Sequence, residues 1–294
     1  MSPGAHTPLT RAHPDQSANL TDHTAGPDLA PAKACQPPLT RRHTKPLEQA
    51  GSRLGELMRL ERIIEIEPGS AIAYSRLSLI YFVEYVNQWH GPWVDHLPRV
   101  LRLARRAVEM DENEPLAHDA LSIGLLWLRY HDEAQRAAER MIELDPNFAS
   151  GYMELGNVHH FKGEHESAVE LYRRAHRLDP QFDLSLQFLG RALFVLGRFD
   201  EAEAAFKRRL ALAPRSDMAR FYLASLYGRT GRHDTAMKLW CELLEIKPDF
   251  SVEHFKRILP YRDPAAFDWF IDGLCQAGVA VTAPQRAAHL GNLR

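Results

Sequence analysis

The chain has 294 residues, of which 45% are hydrophobic and 25% charged, and its formal net charge is −2. This near balance of charge gives no electrostatic footprint for nucleic acid or an anionic membrane surface, so we expect neither partner. No run of 18 apolar residues occurs that would span a bilayer. Because the N-terminus also lacks an apolar signal sequence, a cytoplasmic protein is predicted.

The first 45 residues differ in composition from the rest of the chain. Seven prolines are mixed with His, Thr, Ala and Asp, and no apolar periodicity is present. Such a stretch cannot bury enough apolar surface to offset the entropy of ordering it, so 1–45 is predicted to be a disordered tail. A single helix is predicted over 46–66, where it would cap the N-terminal side of the remaining chain.

From about residue 71 the chain consists of repeats, and most of them are 34 residues long. The columns with this spacing are Pro146, Pro180, Pro214 and Pro248; Gly163, Gly197 and Gly231; Ala134, Ala168, Ala202 and Ala236; Leu121, Leu155, Leu189 and Leu223; and Leu144, Leu178, Leu212 and Ile246. The glycines suit a tight reversal between two helices, which favours positive φ. The prolines stop the second helix of each repeat, and the alanines let two helices approach closely.

This register predicts an all-α, right-handed solenoid of helix-turn-helix repeats over 46–279. The repeats are expected at about 71–114, 115–148, 149–182, 183–216 and 217–250, followed by a C-terminal cap at 251–279 and a short tail at 280–294. The first repeat is about ten residues longer than the others. Its additional residues lie near 87–98, between its two helices, and include Trp89 and Trp93.

The repeat pattern resembles that of the tetratricopeptide (TPR) family, whose unit is a 34-residue helix-turn-helix. The residues of one repeat that carry the resemblance are Tyr152, Leu155, Gly156, Ala168, Tyr172 and Pro180. The resemblance implies a helical array that binds protein or peptide partners, with the first helix of each repeat on the concave face.

A closer resemblance covers roughly 46–279. The stretch 259–279 and the run Leu-Ala-Arg-Arg-Ala-Val at 103–108 are similar to TPR arrays that follow class III adenylate or guanylate cyclase domains, or winged-helix regulator domains, in bacteria. The resemblance implies a sensory or scaffolding module. Cyclase activity and DNA binding are not carried over, because 1–45 stands where such a domain would be.

The sequence contains no motif of a nucleotide-binding loop or a nucleophile elbow, so we expect no enzymatic activity and no cofactor. His159, His160 and His165 form the main histidine cluster. On the repeat register His159 and His165 fall at packing positions and only His160 faces the groove, whereas zinc needs three or four convergent ligands. We therefore expect no metal site, with a metal protein or enzyme using these histidines as the alternative.

Candidate partner-binding residues are those on first helices that point away from the second helix. They are Asp119, Trp127, Asn157, His160, Gln187, Arg191, Phe194, Phe221 and Arg229. Mixed aromatic, arginine and amide side chains suit an extended peptide or a partner helix. The insertion, with Trp89 and Trp93, is the alternative binding surface. An equally favoured interpretation of these two tryptophans is that they cover the N-terminal end of the array.

The leading hypothesis is a non-catalytic protein–protein interaction scaffold that binds an extended peptide or partner helix in its concave groove. The alternative is a regulatory or sensory remnant of a cyclase or winged-helix regulator that acts through a separate catalytic partner. The sequence leaves the partner and the oligomeric state open.

Overall fold

The computed structural model describes residues 45–87 and 96–281, with side chains from residue 55 onward in these ranges. Trp89 and Trp93 lie outside the described residues. The same is true of residues 1–44 of the predicted N-terminal tail and residues 282–294 of the predicted C-terminal tail. The α-helices of the described part are α1 (Lys45–Ile66), α2 (Ala71–Asn87), α3 (Leu97–Met110), α4 (Pro115–Trp127), α5 (His131–Leu144), α6 (Ala149–Lys162), α7 (His165–Leu178), α8 (Asp183–Val195), α9 (Phe199–Leu212), α10 (Asp217–Arg229), α11 (His233–Ile246), α12 (Val252–Ile258) and α13 (Asp268–Gln276). A 3₁₀ turn at Pro264–Phe267 precedes α13.

Helices α2 to α11 pack as five consecutive antiparallel pairs, α2 with α3 through α10 with α11, and each pair packs on the next. The predicted all-α solenoid of helix-turn-helix repeats is confirmed. Successive first helices (α2, α4, α6, α8 and α10) also contact each other, whereas successive second helices share few contacts. The first helices therefore form the inner face, which we call the concave face.

The small residues of the register explain how the two helices of a repeat fit together. Ala168 and Ala202 are fully buried where the second helix crosses the first. A Cβ atom on Gly156 would lie 2.7 Å from Cε1 of Tyr172, and one on Gly190 would lie 2.6 Å from Cε1 of Phe206. The missing side chain thus provides the space for the aromatic ring of the paired helix, which is dense packing of the kind found in protein cores.

The turn between the two helices has a left-handed residue in four successive repeats. Gly163, Gly197 and Gly231 adopt φ values of 93°, 72° and 75°. Arg129 occupies the same column 34 residues before Gly163 and has φ of 67°. For a residue with a Cβ atom, this conformation costs about 1 kcal/mol.

The residues after α11 leave the repeat register and pack on the concave face. We call residues 252–279, with α12, the 3₁₀ turn and α13, the C-terminal segment. Nε2 of His254 in α12 lies 3.2 Å from the carbonyl oxygen of Val86 in α2, and α13 packs against α10. Instead of only extending the array as a cap, this segment runs along the first helices, with α12 near the first repeat and α13 on the last. Most of its large apolar residues, including Phe255, Phe267 and Phe270, are buried there.

Candidate functional site

The predicted concave-face residues were expected to line an open groove, but most of them are covered. Trp127 and Arg229 are half-buried. The others are buried: Asp119, Asn157, His160, Gln187, Arg191, Phe194 and Phe221. Several of them, including His160, Phe194 and Phe221, contact the C-terminal segment. The face therefore already holds a protein segment, which comes from the same chain.

The extended part of the C-terminal segment, 259–263, is held through its backbone. Arg129 donates hydrogen bonds from Nη1 to the carbonyl oxygen of Tyr261 (2.7 Å) and from Nη2 to that of Leu259 (3.2 Å). Nε2 of His131 lies 2.7 Å from the carbonyl oxygen of Pro260. Three consecutive carbonyl groups are thus bound by two side chains that follow α4. Such contacts do not depend on the side chains of the bound segment.

The backbone N–H of Arg262 adds one more contact by donating to the carbonyl oxygen of Phe161 (2.8 Å) at the end of α6. The Tyr261 side chain enters a pocket beside it. Its Oη lies 3.0 Å from Nε2 of His160, and its ring meets that of Phe161 edge-on at 4.8 Å between centroids. Burial lowers the pKa of His160 well below its usual value, so the ring is neutral at pH 7.

The helical part of the C-terminal segment inserts two phenylalanines between first helices. The ring of Phe267 stacks on Phe221 at 5.8 Å, and the ring of Phe270 lies 4.9 Å from Phe194. Oγ of Ser225 donates to the carbonyl oxygen of Phe270 (2.7 Å). These aromatic contacts account for the complete burial of Phe194 and Phe221.

Helices α10 and α13 cross at a pair of glycines with their backbones in contact. A Cβ atom on Gly228 would lie only 1.8 Å from the carbonyl oxygen of Gly273. One on Gly273 would lie 2.2 Å from the carbonyl oxygen of Ser225. Since both obstacles are backbone atoms, neither glycine tolerates a side chain in this arrangement.

A buried polar cluster lies beneath the segment and contains two of the predicted residues. Oδ1 of Asn157 accepts hydrogen bonds from Oη of Tyr172 (2.8 Å) and Nη2 of Arg191 (3.1 Å), while Nδ2 of Asn157 donates to Glu154 (3.2 Å). The guanidinium of Arg191 also lies over the Phe161 ring, 4.7 Å from its centroid. Asn157 and Arg191 therefore have a structural role in this conformation.

Two buried carboxyl groups belong to the same region of the concave face. Burial, followed by the charge of Asp119, raises the pKa of Glu154 to about 8. Burial raises the pKa of Asp119 to about 6, although a hydrogen bond from Ser150 opposes this. Near neutral pH, Glu154 is therefore mostly protonated, whereas Asp119 is mostly ionised.

The three remaining predicted residues contact neighbouring side chains or backbone. Trp127 packs edge-on against Phe82, with 5.0 Å between ring centroids. Arg229 lies 4.3 Å from the ring centroid of Trp269, and its Nη1 donates to the carbonyl oxygen of that residue (3.2 Å). Oε1 of Gln187 accepts from Ser216 at 3.3 Å.

The histidine cluster is engaged in local contacts. Nδ1 of His159 lies 2.5 Å from Oε2 of Glu164, and Nδ1 of His165 lies 3.2 Å from Nδ1 of His160. Within 45–87 and 96–281, no group of three or more His, Cys, Asp and Glu side chains is arranged to hold a metal ion. In the same residues, no helix has both the length and the apolar character needed to cross a membrane.

Sequence reasoning missed Arg129, His131 and Tyr261, whose hydrogen bonds hold the extended part of the segment on the array. A signal for Arg129 was present, because it interrupts the column of Gly163, Gly197 and Gly231. The glycine contact of α10 and α13 had no signal in the repeat pattern, since Gly273 lies outside the repeats.

Comparison with known families identifies the array. The tetratricopeptide repeat model matches residues 128–181 and 189–249. These segments are tetratricopeptide repeats. The predicted TPR resemblance is confirmed.

A curated relative of this chain agrees with the cyclase-associated resemblance. It is a protein of Rhizobium meliloti (strain 1021) named "Putative adenylate cyclase 3", and it is 68% identical over 222 residues. The match includes 76% of this chain and 38% of that protein. The chain therefore spans well under half the length of the curated relative it matches.

Solved structures support the TPR fold. A thermophilic TPR protein of Thermus thermophilus has a TM-score of 0.52 and 24% identity, covering 70% of this chain and 100% of that chain. The Cut9–Hcn1 hetero-tetramer of the APC/C has a TM-score of 0.57 and 19% identity, and the match covers 76% of this chain and 42% of that chain. PilF of Pseudomonas aeruginosa has a TM-score of 0.51 and 16% identity, and the match covers 71% of this chain and 89% of that chain. At these identities the likeness concerns the fold alone.

Proposed function

We propose that this chain is a non-catalytic protein-interaction module whose concave face binds an extended segment of a partner protein. TPR arrays serve as protein-interaction scaffolds, and the predicted residues that include Phe194, Phe221 and Arg229 lie on this face. The observation that supports the proposal most directly is that Arg129 and His131 bind three consecutive backbone carbonyl groups of an extended stretch. A face that holds one extended segment in this way is suited to hold another.

The conformation of Arg129 supports a binding role for it. Its repeat counterparts are glycines, which adopt positive φ without strain, whereas Arg129 adopts φ of 67°. Backbone strain of this kind is retained mainly where a side chain has a use. Here the side chain supplies two donors to the bound carbonyls, which a glycine would not.

Binding of a partner is tested in a background that frees the concave face. Gly273→Val places a side chain against the backbone of Ser225 and is expected to unseat α13 without altering the repeats. We expect tagged Gly273→Val chain to capture more partner protein from extracts of the producing cells than wild type does. Adding Arg129→Ala should reduce this capture at least tenfold, because it removes the donors to the bound backbone.

Arg173→Ala in the same background is the matched control. Arg173 is an arginine of α7 whose ion pairs with Glu170 and Glu201 lie at the surface. Capture should not change with this variant. Equal capture with Arg129→Ala and Arg173→Ala, or a loss seen only with Trp89→Ala and Trp93→Ala, would contradict binding on the concave face.

A second candidate function is regulation of a cyclase, as the array of a larger protein or through a separate catalytic partner. The specific support is the 68% identity to the cyclase-named relative over 222 residues. In that relative, deletion of the matched segment should change the rate of cyclic AMP formation several-fold at equal amounts of folded protein. An unchanged rate would argue against a regulatory role for the array.

A further inference from the structure

The C-terminal segment shows which side chains fit the concave face. Its three anchors are Tyr261, Phe267 and Phe270, all at most 2% exposed. We infer that the concave face is selective for protein segments that carry a tyrosine in extended backbone, phenylalanines six and nine residues later, and a glycine three residues after the second phenylalanine. Residues 261–273 are the resident copy of this pattern. The inference rests on the proposed function and specifies the class of partner.

The extended part of the pattern is fixed by backbone chemistry. The carbonyl groups of Leu259, Pro260 and Tyr261 all point to donors that follow α4. A proline restricts the preceding residue to extended conformations, and Leu259 has φ of −62° and ψ of 130°. A partner with a proline before the tyrosine therefore loses less conformational entropy on binding.

Tyrosine is preferred over phenylalanine at the first anchor because the pocket has a polar base. Nε2 of His160 lies 3.0 Å from the Tyr261 hydroxyl, and His160 is fully buried. A phenylalanine would leave that nitrogen without its tyrosine partner in a site closed to water. Unsatisfied buried polar groups are unfavourable, so the hydroxyl contributes to selectivity.

The two phenylalanines and the glycine are specified by shape. Phe267 and Phe270 lie three residues apart, so both point from one side of a helical turn into the apolar gaps beside Phe221 and Phe194. The glycine is required because the backbone of Gly273 is in contact with the backbone of α10. Any other residue at that position would hold the helix away from the face and withdraw both rings.

The resident copy and a partner with the same pattern compete for one site. A tethered segment has an effective concentration in the millimolar range, so a free segment of equal affinity gains little access. Partners of this class are thus admitted when the C-terminal segment is released. The concave face and its resident segment together form a binding site with a built-in competitor.

The test uses the full chain and a fluorescent synthetic peptide of residues 252–281. Binding is followed by fluorescence anisotropy with wild type and with Gly273→Val. We expect the peptide to bind Gly273→Val at least tenfold more tightly than wild type. The Tyr261→Phe peptide should bind the Gly273→Val chain at least threefold more weakly than the unaltered peptide does. The Phe267→Ala peptide and the Gly273→Val peptide should each bind this chain at least tenfold more weakly.

Ala265→Val in the full chain is the matched control, because it makes the same segment bulkier at an exposed position. It should bind the peptide no better than wild type does.

Circular dichroism checks that the repeats stay folded. A second released chain, with Phe267→Ala and Phe270→Ala, frees the segment without adding a bulky side chain. Equal peptide affinity for wild type and both released chains, or equal affinity of all four peptides, would overturn the inference. Neither result depends on capturing a cellular partner, so failure of the proposed function is distinguishable.

Discussion

Gly228→Ala is expected to be among the most destabilising single-methyl changes in the chain. The added Cβ would lie 1.8 Å from the carbonyl oxygen of Gly273, and a backbone atom has no alternative rotamer. Helix α13 must move away from α10, which withdraws Phe270 from its buried site. We expect the free energy of unfolding, measured by chemical denaturation, to fall by about 3 kcal/mol.

Gly124→Ala provides the matched control for this prediction. Gly124 lies inside α4, and its added Cβ would be 3.4 Å from the nearest atoms, an ordinary contact distance. Alanine favours a helix interior over glycine by about 1 kcal/mol, so this change should be neutral or stabilising. If the two substitutions shifted the denaturation midpoint equally, the close crossing of α10 and α13 would be refuted.

Glu154→Gln should stabilise the protein increasingly as the pH rises. The pKa of Glu154 is raised from 4.5 to about 8 in the folded state, so the folded chain holds a proton that the unfolded chain releases between these values. Stability therefore falls as pH increases through this window, with slope set by the difference in bound protons. Glutamine is neutral and retains an oxygen that accepts from Asn157, so it removes this pH-dependent loss.

The expected difference between Glu154→Gln and wild type is near zero at pH 4 and on the order of 5 kcal/mol above pH 8. Denaturation curves measured from pH 4 to pH 9 provide the test. Buried His160 also titrates, but its contribution is similar in both proteins and largely cancels in the difference. Glu170→Gln, at an exposed surface position, is the control and should follow wild type throughout. Parallel curves for Glu154→Gln and wild type would mean that Glu154 is ionised in the folded protein.

The repeat register predicted the fold because each of its columns has a local cause. Gly163, Gly197 and Gly231 mark turns with positive φ, and the alanines mark helix crossings, so 34-residue spacing alone was sufficient. Interactions between neighbouring repeats are similar throughout the array. A sequence pattern therefore determines the array without knowledge of distant contacts.

The occupation of the concave face had no comparable local cause. A C-terminal cap was predicted at 251–279, but its position depends on contacts between residues far apart in sequence. His254 contacts Val86, 168 residues earlier, and Arg129 contacts Tyr261, 132 residues later. The nature of the predicted face was itself a clue. Phe194 and Phe221 would be unfavourable in water on an open groove, which indicates that an apolar segment covers them.

The most direct test of this account is hydrogen exchange at the backbone amide of Arg262. This amide lies outside any helix, and its bond to the carbonyl oxygen of Phe161 exists only when the C-terminal segment occupies the concave face. The account predicts strong protection of this amide in wild type by NMR, and its loss in Gly273→Val, while amides within α6 and α8 remain protected. Exchange at the rate of an unstructured peptide in wild type would contradict the claim that the concave face holds its own C-terminal segment.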